Sequence, residues 1–231
     1  MPNKPASALP FDAVVFDLDG SLYPFDQHYK KACIDAFEAA HRTAITARFN
    51  GTYGQAHAWV ALHGVHAQAP RGLERLVEQA RLKLRADFIR PDLKLREELL
   101  RLKKPMWILS NSDPRWMSEV TKRLGINDLF PRNHRLSAYR EFEKSKKNSL
   151  LYYELLVRLG FVEKPNRLLV VDDTGENLLA AARSGVVTAL ISAATTERPP
   201  HFSHMAPSVA KLLHSLNPPR PAAAATGPKP A

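Results

Sequence analysis

With 231 residues, 45% of them hydrophobic, the chain is long enough for one large domain or a core with an insertion, and too apolar for general disorder. Its formal net charge of +10 suits an anionic partner. No cysteine finger, arginine-rich arm or other nucleic-acid motif accompanies that charge, which sets nucleic acid aside and keeps a small anionic metabolite. The single cysteine, Cys33, excludes an intrachain disulfide and a zinc site built on several thiolates. No apolar stretch has the length of a membrane span or the form of a leader, so the sequence reads as cytoplasmic.

Residues 1–10 hold three prolines and no apolar run, and read as a flexible tail. Ala13-Val14-Val15-Phe16 follows, a short apolar run flanked by aspartates, which predicts a central parallel strand buried on both faces. Gly20 ends it. Residues 22–90 contain no convincing strand and predict helices at about 27–48, 52–64 and 71–88. An insertion of that length is too long for a bare loop and reads as a helical cap standing over the carboxyl end of a sheet. Its histidines, His57, His63 and His66, read as surface or packed imidazoles, and Tyr53 and Trp59 as core of the cap.

The chain returns through Pro91-Asp92 to a helix at Leu93 to Leu102 and a second strand at Met106 to Leu109. Trp116, Val120 and Leu124 recur at helical spacing and Gly125 closes them; Leu150 to Leu159 repeats the arrangement before Gly160. A third strand is predicted at Arg167 to Val171, a helix at Asn177 to Arg183, a fourth strand at Val186 to Ile191 and a short helix near 206–216. Asn217 to Ala231 reads as a second flexible tail. Strands alternating with glycine-stopped helices predict a doubly wound, Rossmann-like α/β parallel sheet over 11–21 and 91–216, with the cap at 22–90.

Three of the predicted strands end in polar residues: Asp17-Leu18-Asp19-Gly20, Ser110-Asn111 and Asp172-Asp173. Taken singly these are ordinary surface turns. In a doubly wound sheet they converge on one crevice, where clustered carboxylates repel and call for a cation such as Mg2+, which takes hard oxygen ligands. Ser110, Asn111, backbone N–H groups and a lysine are the donors on hand for a phosphate.

These residues resemble the haloacid dehalogenase-like hydrolases, and within them the phosphatases with a helical cap after the first strand. The first motif is Asp17-Leu18-Asp19-Gly20-Ser21, the second is Ser110 with Asn111, and the fourth is Asp172-Asp173, in order over residues 11–191. A narrower resemblance, to the pyrimidine 5'-nucleotidase branch, rests on Asp19-Gly20-Ser21-Leu22-Tyr23-Pro24, Leu109-Ser110-Asn111-Ser112-Asp113 and Asp172-Asp173-Thr174-Gly175-Glu176-Asn177-Leu178.

The resemblance implies that Asp17 attacks phosphorus and that Asp19 serves as general acid and base. It implies a magnesium ion on the Asp17 carboxylate, the Asp19 main-chain carbonyl and Asp173, with Asp172 outside it or sharing the task, because Leu178 stands where many relatives carry another acid. Ser110 and Asn111 would bind phosphate together with a lysine from Glu143-Lys144-Ser145-Lys146-Lys147. Counting back from Leu159-Gly160 lands on Lys146, with Lys144 and Lys147 as alternatives and Lys147 where the family usually has proline. Tyr23, where cap and core meet, is a candidate for substrate contact or for packing the hinge. Asn177 reads as a residue that starts a helix, with a role in the site as the alternative.

Overall fold

The computed structural model describes residues 9–25, 89–194 and 197–218. The predicted cap helices, with Cys33, Tyr53, His57, Trp59, His63 and His66, lie outside the described residues, as do most of the two tails.

β1 (Ala13–Phe16) is buried at every position. Its side chains alternate between two cores, Val14 and Phe16 entering one, Ala13 and Val15 the other, as the two-residue period of a strand requires. β2 (Met106–Ser110) and β4 (Leu168–Asp172) pair with its two edges, with Phe16 beside Ile108 on one side and Val171 on the other. Outside them lie β3 (Arg135–Ser137), β5 (Val187–Ile191) and β6 (His204–Ala206). The six strands form one parallel sheet in the order β3-β2-β1-β4-β5-β6. The order changes direction between β1 and β4, where a crevice opens beyond the carboxyl ends of doubly wound strands.

Six helices flank this sheet among the described residues: α1 (Leu93–Leu102), α2 (Pro114–Leu124), α3 (Ala138–Phe142), α4 (Ser149–Leu159), α5 (Gly175–Ala182) and α6 (Val209–Leu216). Leu95 and Leu99 of α1, Met117 and Val120 of α2 and Leu212 of α6 pack with Val14 and Phe16. Leu151 and Leu155 of α4 and Leu178 and Ala181 of α5 pack on the opposite face with Val15. Side-chain caps start four of the helices: Asp92 accepts from the Leu95 N–H at 2.8 Å, Asp113 from the Arg115 N–H at 2.7 Å, Asn148 from the Leu150 N–H at 3.0 Å and Ser208 from the Lys211 N–H at 3.3 Å, each contributing about 1 kcal/mol. Gly125 and Gly160 stand at the predicted stops of α2 and α4. None of the helices described is long and apolar enough to cross a membrane.

Several boundaries differ from expectation for local reasons. β3 and β6 are unpredicted because three-residue edge strands are too short to carry a pattern. Arg167 belongs to a 3-10 turn, not to β4, and its guanidinium grips Asp12 at 2.6 and 2.9 Å, tying the approach to β1. α5 starts at Gly175 behind Thr174, which leaves Asn177 inside the helix. Ala206 is a strand residue, and the last helix begins after Ser208. Asn217, placed in the tail, exchanges hydrogen bonds with Arg101 at 2.8 and 3.0 Å. Leu22, Tyr23 and Ile89, placed in the cap, are buried in the sheet's own core.

Candidate active site

The parallel register brings the ends of β2, β1 and β4 level. Ser110 is the last residue of β2 and Asp172 the last of β4, while Asp17 follows β1 and donates its N–H to Val171 O at 2.8 Å. Beyond Asp17 the chain makes a tight turn, in which the Leu22 N–H reaches Leu18 O at 3.1 Å and the Gly20 N–H reaches Tyr23 O at 3.1 Å. Gly20 sits at φ 97°, and a Cβ there would lie 2.1 Å from Asp173 Oδ2. Glycine is therefore required twice at this position, for its backbone conformation and for the approach of the Asp173 carboxylate.

On the β4 side the contacts are ionic. Lys146, on the loop between α3 and α4, buries its ammonium between two carboxylates: Nζ donates to Asp17 Oδ1 and, at 2.7 Å, to Asp172 Oδ2. Asn111 Oδ1 accepts from the Lys146 N–H at 3.2 Å and so ties that loop to the end of β2. The two neighbouring lysines turn elsewhere, half-buried Lys144 to Glu154 at 2.9 Å and exposed Lys147 to Glu176. Asp172 is further engaged by the Thr174 N–H at 2.8 Å and by the amide of Asn177 at 3.1 and 3.2 Å. Asn177 thus touches the site from within α5, a role its place in the sequence does not announce.

Burial pushes the Asp17 carboxyl well above the usual range; the Lys146 charge pulls it down, and the charges of Asp172 and Asp19 push it up again. For Lys146, burial works against the charge, but Asp17 and Asp172 outweigh it and hold the ammonium above its ordinary value. Tyr152, fully buried on α4, has a phenol pushed up by burial and by Asp172, and its hydroxyl has no hydrogen-bond partner among the described residues.

Oxygens of Asp17, Asp172 and Asp173 lie within 4.8 Å of one another, and Asp17 Oδ2 is buried with no hydrogen-bond partner among the described residues. Among the described residues, the Lys146 ammonium pairs with two of these three carboxylates, Asp17 and Asp172. An all-oxygen donor set of this kind fits a hard divalent cation. Asp172 is engaged by Lys146, Thr174 and Asn177, and Asp173 accepts from the Thr174 hydroxyl at 3.1 Å. Leu178 is fully buried in the hydrophobic core and takes no part in the oxygen cluster.

On the β2 side the contacts are hydrogen bonds from neutral groups to Asp19. Its Oδ1 accepts from the Tyr23 hydroxyl at 2.5 Å and from the Trp116 indole N–H at 2.9 Å. Its Oδ2 accepts from the Ser112 hydroxyl at 2.5 Å and from Ser110 at 3.3 Å. Ser110 Oγ in turn accepts the Ser112 N–H at 2.9 Å. Tyr23 is buried, its ring edge-on to Phe25 and its hydroxyl engaged with Asp19. Ser112 and Trp116 were not among the expected site residues. Trp116 has the spacing of a packed helix residue, and it does pack, with only its N–H turned out of the core.

Residues 11–185 match the family of haloacid dehalogenase-like hydrolases. Among solved structures, the chain is similar to L-2-haloacid dehalogenase from Xanthobacter autotrophicus, at 18% identity and a TM-score of 0.57, covering 88% of this chain and 97% of that one. A HAD family hydrolase from Deinococcus radiodurans R1 with bound phosphate and sodium is similar at 20% identity and a TM-score of 0.56, over 92% and 100% of the two chains. CbbY from Rhodobacter sphaeroides in complex with phosphate is similar at 18% identity and a TM-score of 0.61, over 87% and 96%. At such identities the likeness is one of fold. No curated protein matches the sequence significantly. The family match spans most of the chain, from β1 to the end of α5, and with it the chain belongs to the haloacid dehalogenase-like hydrolases.

Proposed function

We propose that the chain is a magnesium-dependent phosphomonoester hydrolase, with Asp17 as nucleophile and Asp19 as general acid and base. The observation that carries the reading is the contrast between two carboxylates only two residues apart: Asp17 lies against the Lys146 ammonium, and Asp19 lies among hydroxyl and indole donors. A nucleophile has to stay ionised while it attacks, and its neighbour has to pass a proton back and forth. The dehalogenases this sequence resembles lack the second acid, whereas the phosphatases use it. The phosphate bound to two of the similar structures supports the same reading.

In the first step a carboxylate oxygen of Asp17 bonds to phosphorus, the ester P–O bond breaks, and the leaving oxygen takes the proton of Asp19. In the second, water attacks phosphorus and gives a proton to Asp19, the bond to Asp17 breaks, and phosphate leaves with both carboxyl groups restored. Lys146, Ser110 and Asn111 are the donors for the phosphoryl oxygens. Magnesium would be held by Asp17, Asp173 and the Asp19 main-chain carbonyl, with Asp172 beside it, and supplies positive charge against the phosphoryl group.

The deciding experiment is hydrolysis of p-nitrophenyl phosphate with magnesium and after chelation. Asp17→Asn, folded by circular dichroism, is expected to show no turnover; full activity in that variant would remove the mechanism. Within the phosphomonoesters we take a nucleoside 5'-monophosphate, pyrimidine before purine, as the substrate class, supported by the three motif strings of the narrower resemblance. Comparison of kcat/KM for UMP, CMP, AMP, glucose 6-phosphate and phosphoglycolate tests it. A pyrimidine value no higher than that of the sugar phosphate would sink the nucleotidase reading and leave the general phosphatase in place.

A further inference from the structure

We infer that Ser112 and Trp116 are positioning residues for Asp19: they hold its carboxylate in the orientation from which it exchanges a proton with the leaving group. The inference rests on the phosphatase reading and assigns two residues to which the resemblance gives no role. An aspartate on a turn rotates about two bonds, and misplacement of a reacting group by about 1 Å costs on the order of a hundredfold in rate. Here the rotation is opposed from two directions. Tyr23, four residues on in the same turn, reaches Oδ1, while the β2–α2 connection brings Ser112 to Oδ2 and Trp116 to Oδ1.

Both added residues are themselves fixed. Ser112 is 1% exposed, and its N–H is held by Ser110 Oγ at 2.9 Å. Trp116 is 4% exposed in the first turn of α2, its ring locked into the core with Met117 and Val120, and Asp113 caps that helix through Arg115 at 2.7 Å. The two contacts are not equivalent. The indole N–H donates and cannot accept, so Oδ1 is always an acceptor toward Trp116. Among the described residues, Oδ2 accepts from the hydroxyls of Ser112 and Ser110, groups able to accept as well as donate.

Leaving-group dependence tests this apart from general damage to the site. p-Nitrophenolate leaves without help, whereas an alkoxide leaves only when it is protonated, so loss of proton delivery falls on alkyl esters. Wild type, Asp19→Asn, Ser112→Ala, Ser112→Thr and Trp116→Phe are compared on p-nitrophenyl phosphate and on the alkyl phosphate that the wild type turns over best. Ser112→Ala and Trp116→Phe are each expected to lose about tenfold in kcat on the alkyl ester and no more than about threefold on the aryl ester, with KM within about twofold. Ser112→Thr, which keeps the hydroxyl, should recover most of the loss. If Asp19→Asn loses equally on both esters, the role of Asp19 itself is wrong and the inference falls with it. If Asp19→Asn discriminates between the esters while Ser112→Ala and Trp116→Phe lose equally on both or not at all, the positioning role alone is overturned. Should Trp116→Phe fold poorly, Ser112→Ala decides.

Discussion

The β4 side and the β2 side of the crevice each hold one carboxylate, by opposite means. Asp17 is fixed by an ion pair in a place where burial works against its charge, and it shares a single lysine with Asp172. Among the described residues, Asp19, less buried, accepts from three hydroxyls and an indole, neutral groups all four. Ionic compensation tolerates little editing: a buried pair that loses one partner leaves a charge with nothing to offset its desolvation. Neutral donors act one by one, and losing one of several leaves the rest in place. The difference suits the proposed chemistry, in which Asp17 must be ionised to attack and Asp19 alternates between charged and protonated.

The sharpest way to break this contrast is Lys146→Met. It leaves Asp17 and Asp172 buried together, and the variant is expected to lose about 3–5 kcal/mol of stability along with turnover. Urea unfolding without added metal measures it. A loss below about 1 kcal/mol would mean that water or a cation, not the lysine, neutralises the cluster. The exposed Lys147, paired with Glu176, provides the control, and Lys147→Ala should cost about 0.5 kcal/mol or less.

Next in size is Gly20→Ala. The new Cβ would meet Asp173 Oδ2 at 2.1 Å in a backbone held at φ 97°, so the turn shifts or the carboxylate moves away. A loss of about 1–3 kcal/mol is expected. The more telling readout is the rise in Tm with magnesium, which should shrink or vanish, since Asp173 is one of the proposed ligands. An undiminished rise would take Asp173 off the metal.

Tyr152→Phe carries the smallest expected effect. Its hydroxyl is buried without a partner among the described residues, so removing it relieves an unsatisfied group. Stability should change by about 1 kcal/mol or less, toward the stable side, with kcat on p-nitrophenyl phosphate within about twofold. A tenfold loss of kcat would give that hydroxyl a part in holding the charges of the β4 side.

What the sequence determines by itself is what depends on near neighbours in the chain. Ala13 to Phe16 is apolar enough to be a central strand, Gly125 and Gly160 stop their helices, and Asp17-Leu18-Asp19-Gly20 and Asp172-Asp173 mark strand ends, each within a few residues. From those signals the doubly wound sheet follows, because few arrangements bury such strands on both faces. β3 and β6 escape because a three-residue edge strand takes its conformation from its neighbour and not from its own pattern.

The identity of the partners inside the crevice was decided by tertiary structure. Among Lys144, Lys146 and Lys147 the sequence offers only spacing, whereas the fold directs one ammonium to Asp17, 129 residues away, and the others to surface glutamates. Trp116 and Ser112 reach Asp19 across 97 and 93 residues, and Asn177 turns to Asp172 from the interior of a helix. Such pairings depend on the register of parallel strands and on the path of the loops between them. Residue type states what a side chain is able to donate or accept, and only the folded chain brings that capacity within three ångströms of a partner.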